Sequence, residues 1–173
     1  MSRDTSRRAL ARSSGETTFG AEPSVVLRGP QLLSNDREFL MFLLGGDPYA
    51  LPIGVILEIL KPLPITEVPR APRGIAGIAS VRGRLVTVID PRRKFGLAEP
   101  EPDRKTRILL VDGGEEIMGL LVDEVKGVHK FEEGQIEPPQ VLGGEPPPHV
   151  AGVGRNDECW CMLLDLRPVL EVK

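Results

Sequence analysis

The chain has 173 residues, 22 Lys and Arg against 25 Asp and Glu, a net charge of −3, and only 4% aromatic residues. That length carries one ordinary domain, or two small lobes sharing a core, and folds without disulfide or metal staples. The apolar runs break far short of the roughly 20 residues a membrane helix needs, and no apolar h-region follows the N-terminal arginines, so neither a spanning helix nor a secretory signal is expected.

In chain order, residues 1–36 are rich in Arg, Ser, Thr, Gly and Glu and are expected to form a disordered tail, with Val25-Val26-Leu27 its clearest β-branched cluster. The domain is expected over residues 37–172. An apolar run from Phe39 to Leu44, the cluster Gly45-Gly46-Asp47-Pro48 and Tyr49-Ala50-Leu51 predict a hairpin. Residues 55–60 (VILEIL), with Glu58 inside, lie between Pro52 and Pro62 and predict a strand or a single turn. Pro62, Pro64, Pro69 and Pro72 hold the following residues extended. Residues 73–80 (RGIAGIAS) place Ile75 and Ile78 three apart and predict a helix of about two turns, weakened by Gly77. Arg82-Gly83-Arg84 then turns the chain into a strand over residues 85–90, which Pro91 ends.

Residues 98–103 (AEPEPD) form an expected linker, with a second lobe beginning near Arg104. Residues 107–112, the turn Gly113-Gly114 and residues 117–125 predict another hairpin, continued by a strand from Val128 to Phe131. Residues 137–149 are too proline-rich for regular structure. Residues 160–166 (WCMLLDL) form a last core strand, followed by a turn at Arg167-Pro168. Many short strands separated by Gly and Pro predict a small barrel or a pair of them.

Groups that carry catalysis are thin. His129 and His149 stand far apart, with no histidine or cysteine at metal-ligand spacing, and no metal or cofactor is expected. Cys159 and Cys161 lie two apart on one face of a strand, poorly placed to bridge each other, and fit a reducing compartment. Asp90 could meet Asp123 or Asp165 for acid–base work, although strand-end aspartates more commonly accept backbone hydrogen bonds. The glycine pairs lack the following Lys-Ser of a phosphate cradle. Arg70, Arg73, Arg82, Arg84, Arg92, Arg93 and Lys94 make one segment basic, but Phe95 alone is at hand to stack on a base, which argues against nucleic acid. Glu58 either faces solvent or meets a cation, and Arg82 either caps its turn or pairs with a carboxylate such as Glu58 or Asp90.

A series of motifs keeps one order along the chain: Tyr49 with Glu58 nine residues on, Ile65-Thr66-x-Val68-Pro69, Ala71-Pro72, Gly77, Arg82-Gly83, Val88-Ile89-Asp90 and Phe95-Gly96-Leu97. Thr106-Arg107-Ile108, residues 119–123 (GLLVD), Ile136-x-Pro138 and Met162-Leu163-Leu164-Asp165 follow. In these the chain resembles the CheW family of chemotaxis coupling proteins over residues 37–170. The resemblance implies an all-β fold of two SH3-like five-stranded barrels packed around a shared hydrophobic core. It implies a non-enzymatic, cytoplasmic adaptor at receptor arrays, joining the regulatory domain of a CheA-type histidine kinase to the cytoplasmic tip of a methyl-accepting chemoreceptor. It places Ile56, Glu58, Gly77, Arg82 and Val128 at partner surfaces, so that Ile56→Asp and Glu58→Lys are expected to weaken binding with the fold intact. Ser80-Val81 before Arg82, Thr87 and Pro91 depart from the usual pattern and point to a divergent chemosensory system. A double-barrel binding module outside chemosensing, and a small hydrolase using Asp90 and Asp123, are the competing expectations.

Overall fold

In the computed structural model, which describes residues 25–26 and 37–171, one short strand follows another. They are β1 (Val25–Val26), β2 (Glu38–Leu44), β3 (Asp47–Pro52), β4 (Ile56–Leu60), β5 (Ile75–Val81), β6 (Arg84–Ile89), β7 (Arg107–Asp112), β8 (Ile117–Val122), β9 (Glu124–Lys130), β10 (Ile136–Glu137), β11 (Val150–Arg155) and β12 (Trp160–Leu164). Two short helices interrupt them, α1 (Pro91–Phe95) and α2 (Leu166–Leu170).

The strands form two mixed sheets, in the orders β1-β4-β7-β8-β6-β5 and β10-β11-β12-β3-β2-β9. β1 and β10 are two-residue additions, so each sheet is in substance five-stranded. Each holds one parallel pair, β6 with β8 and β12 with β3, and antiparallel neighbours otherwise. The two barrels and shared core implied by the resemblance are present, and β2 shows how. Successive side chains of a strand point to opposite faces. Leu40, Phe42 and Leu44 face a core also built from Leu51, Leu109, Val111, Leu120, Val122 and Leu164, drawn from both sheets. Phe39 and Met41 face the other way, into a separate interior with Ala50, Phe131 and Cys161. A third cluster, Leu60, Val81, Val86, Ile108 and Leu110, fills the barrel of the first sheet.

The chain is divided between the sheets differently from the expectation. The segment 98–103 separates no lobes, because β7 beyond it pairs with β4 before it. The β2–β3 hairpin instead crosses to join β9 through β12. In place of the helix expected over residues 73–80 the chain forms β5 from Ile75, paired with β6 across a register shift between Ile75 and Gly77 and bridged on its far side by Thr66 opposite Ile78. Ladder bonds on both sides outweigh a three-residue apolar spacing that glycine already undermines. Pro91 does end the ladder, and it also opens α1: Asp90 accepts a hydrogen bond from the Arg92 backbone as N-cap, and Pro91 takes the first helical position, where a missing N–H costs nothing. Arg167 and Pro168 lie in α2. Of the segment expected to be a disordered tail, Val25–Val26 pairs antiparallel with β4, Val26 opposite Glu58. The rest of that expectation lies outside the described residues.

Candidate partner-binding site

Along β4 buried and half-buried residues alternate, and Glu58 falls in the buried row with Ile56 and Leu60. At 5% exposure an ionised carboxylate is costly unless it is paired and hydrogen-bonded. Arg82 supplies the pair. Its Nη1 donates to Glu58 Oε1 at 2.7 Å and its Nη2 to Oε2, the two-pronged geometry that guanidinium and carboxylate match best.

Arg82 can do this because of the turn it occupies. Val81 pairs with Arg84, leaving Arg82-Gly83 as a two-residue hairpin loop, and both loop residues have positive φ, 52° and 83°. That is the twist-matched loop favoured between antiparallel strands, in which glycine is comfortable and arginine is not. The ion pair to Glu58 holds the arginine there, so carboxylate and turn fix each other. Arg82 keeps one-third of its side chain exposed, and Leu85, two residues past the turn and opposite Ser80, is 76% exposed on the outward face of β6. The result is a rigid knuckle carrying a cation and a large apolar side chain.

The other expected site residues do not converge on it. Ile56 is wholly buried in the shared core, so it offers no surface, and Ile56→Asp would put a charge into that core; the expectation that the fold survives it is overturned. Glu58→Lys fails likewise, setting a cation against Arg82 at a buried position. Gly77 lies in β5 at φ 149°, where an added Cβ would stand 2.3 Å from the carbonyl oxygen of Thr66. Its role in the fold is to admit that neighbouring segment. Val128 is half exposed, but on β9 of the second sheet.

Asp90 and Asp123 do come together, though not as a reacting pair. The guanidinium of Arg92 lies between them, with Nε and Nη2 donating to Asp90 at 2.8 and 2.9 Å and Nη1 to Asp123 at 2.8 Å. These hydrogen bonds hold the Arg92 guanidinium above its ordinary pKa, against a desolvation that acts to lower it. Asp123 also accepts from the backbone of Gly46, and its own N–H donates to Leu43, so the triad ties α1 to the β2–β3 turn. Both carboxylates are committed to structure. Asp165 caps α2, and hydrogen bonds from Arg167 hold its carboxyl below the usual range. Arg82, Arg92, Arg93 and Lys94 of the basic segment are all engaged within the chain, Arg93 with Glu99 and Lys94 with the carbonyl of Val169.

Two features were not anticipated from sequence. Leu85 shows itself only once the strand register fixes it outward. His149, buried at 5%, stacks on Phe95 at 4.3 Å and has Nε2 3.1 Å from the Tyr49 hydroxyl, while its Nδ1 has no hydrogen-bond partner. Among the described residues no group of three or more His, Cys, Asp or Glu is placed to hold a metal ion, and no helix is long and apolar enough to cross a membrane.

Comparison with known proteins bears on what such a surface serves. Residues 38–173 match the family described as CheW-like domain. The chain is 29% identical over 134 residues to the chemotaxis protein CheW of Helicobacter pylori, covering 78% of this chain and 81% of that one. It is 30% identical over 135 residues to the CheW of Klebsiella aerogenes, with the same coverage. The crystal structure of the scaffolding protein TtCheW from Thermoanaerobacter tengcongensis superposes with a TM-score of 0.72 at 30% identity, over 80% of this chain and 94% of that one. Together with the two-barrel fold, these matches settle the family: the chain belongs to the CheW-like proteins, as a non-enzymatic scaffold that couples components of chemotaxis signalling.

Proposed function

We propose that this scaffold joins the regulatory domain of a CheA-type histidine kinase to the cytoplasmic tip of a methyl-accepting chemoreceptor, on the cytoplasmic side of receptor arrays, and that residues 37–172 form the coupling unit behind an N-terminal tail of residues 1–36. The observation that carries the reading is the Glu58–Arg82 knuckle. Its geometry is set by a buried ion pair before any partner arrives, and little ordering entropy remains for binding to overcome. The same hairpin carries Leu85, an exposed apolar side chain of the kind that can anchor an interface. Val128, half exposed on the other sheet, is the corresponding candidate for a second partner, as an adaptor with two clients requires. No bond is made or broken: the scaffold raises effective concentration and fixes relative geometry.

The test is capture of a purified kinase regulatory domain and a receptor tip by the full chain, compared with Leu85→Asp and Val128→Asp. Both substitutions are at exposed positions and are expected to leave thermal unfolding unchanged. Leu85→Asp is expected to weaken one partner at least tenfold, about 1.4 kcal/mol, and to leave the other bound. Binding of neither partner by the native chain would overturn the proposal.

A further inference from the structure

Met41, His129 and Cys159 are remote in sequence, and the second barrel brings them together. The β2–β9 register sets His129 opposite Phe39, on the face of β2 that carries Met41. Cys159 arrives from the turn between β11 and β12. That turn is built by Asn156, whose side-chain oxygen accepts from the backbone of Glu158 and Cys159 and whose side-chain nitrogen donates to the carbonyl of Lys130, next to His129. Cys159 Sγ consequently lies 3.7 Å from His129 Nδ1 and 3.7 Å from Met41 Sδ.

The two separations from Cys159 are ordinary contact distances, and they also lie within about 0.3 Å of what a metal ion shared with Cys159 would set. With metal–sulfur bonds of about 2.3 Å and a metal–nitrogen bond of about 2.0 Å set 120° apart, sulfur and nitrogen ligands stand about 3.7 Å from each other and two sulfurs about 4.0 Å. The donors are a thiol, a thioether and an imidazole, a set selective for soft ions and poor for magnesium or calcium. Charge narrows the choice further. One thiolate with two neutral ligands makes a neutral complex around a monovalent ion and a cation around a divalent one, and the site borders the apolar interior of Phe39, Ala50 and Phe131, where an uncompensated charge is costly. A surface cavity lined by Val128, His129, Asn156 and Glu158 reaches the cluster at His129.

The geometry points to a binding site for a soft monovalent metal ion, Cu(I) in the first instance, held by Cys159 Sγ, His129 Nδ1 and Met41 Sδ. Binding breaks the S–H bond of Cys159, releases that proton to solvent and forms a sulfur–metal bond, with no change of oxidation state. Cys161, the other thiol, is wholly buried among Phe39, Met41 and Phe131 and is outside the ligand set.

The experiment titrates the reduced full chain, with air excluded, against the bicinchoninate complex of Cu(I), reading loss of the complex's colour. The native chain is expected to withdraw one ion, Cys159→Ser to lower the affinity at least a hundredfold, and Met41→Leu and His129→Asn each at least tenfold, while Cys161→Ala changes it less than threefold. Circular dichroism and thermal unfolding establish that each variant is folded, and Met41→Leu conserves packing volume in the barrel. No withdrawal of copper by the native chain overturns the site. So does withdrawal that persists in Cys159→Ser, that depends on Cys161 instead, or that ignores both Met41→Leu and His129→Asn.

Discussion

Glu58 sits on an inward-facing row because Arg82 meets both of its oxygens, and Arg82 sits in a left-handed turn because Glu58 holds it there. Losing either partner removes this two-pronged contact from the other. Arg82→Ala takes the guanidinium fork from a carboxylate with 7% side-chain exposure; breaking a buried pair costs about 3–5 kcal/mol, and here the lower figure is the ceiling because Arg82 is itself one-third exposed. Urea unfolding is expected to show a loss for Arg82→Ala, and the double variant Arg82→Ala with Glu58→Gln should recover part of it, since the buried carboxylate charge is removed along with the guanidinium. A single-variant cost under about 1 kcal/mol would mean the pair does not anchor the turn. His149 supplies a pH dependence of determinate sign. Burial pushes its imidazole below the ordinary value, so as pH falls through about 6.5 the unfolded chain takes up a proton that the folded chain refuses, and stability declines until the lower folded value is reached. Between about pH 7.5 and about pH 5.5 the loss from this group is at most about 1.4 kcal/mol. Urea midpoints at the two pH values should lie closer together in His149→Leu than in the native chain; an equal gap would assign the dependence elsewhere. Tyr49, pushed up to about 12 by its own burial and by Asp47, stays neutral across this range and takes no part in it.

At the scale of the element, β5 shows what a glycine can decide. Gly77 stands where the segment of Ile65 and Thr66 crosses the strand, and an alanine Cβ there would lie 2.3 Å from a backbone oxygen and 2.6 Å from Ile65 Cγ2. Backbone cannot swing aside as the end of a side chain can. Gly77→Ala is therefore expected to cost at least about 2 kcal/mol in urea unfolding, through displacement of the Thr66–Ile78 bridge and the strained φ, and loss of that bridge should show as faster amide exchange at Thr66 and Ile78. Gly83→Ala has no such contact and is expected to cost only its turn strain. The hairpins β2–β3 and β7–β8 were legible because glycine turns punctuate apolar runs, a signal confined to neighbouring residues. β5 was misread as helix because its second partner, Thr66, is 12 residues away from Ile78 and adds a ladder that local spacing does not contain. The fork between Arg82 and Glu58 was legible as one of three alternatives, beside a turn cap and a pair with Asp90, a choice that the strand pairing resolved. Arg92 between Asp90 and Asp123 was invisible for the same reason as β5: its meaning depends on which strands meet.

Across the whole molecule, each barrel has an interior of its own, and the largest core lies between them and belongs to both. Leu40, Phe42 and Leu44 from one sheet interleave with Leu109, Val111 and Leu120 from the other, so opening either barrel exposes apolar surface of both. The Arg92 triad adds a polar tie at the rim, through Asp123 to the β2–β3 turn. The crossing of that hairpin from one half of the sequence to the other closes the circuit, because the sheet it joins cannot be completed without strands from both ends of the domain. A single cooperative unfolding transition is the consequence. Trp160, the sole tryptophan, lies on β12 and reports the second barrel by fluorescence, while the amides of Leu109 and Leu120 on β7 and β8 report the first by hydrogen exchange in urea. The two probes are expected to give one midpoint and one free energy. Midpoints separated by more than about 0.5 M urea would show two domains merely in contact. The distinction matters for a coupling protein: if the barrels unfold as one body they also move as one, and a displacement imposed at the Arg82 knuckle reaches Val128 on the far sheet through packed side chains, whereas two loosely docked barrels would absorb it at their junction.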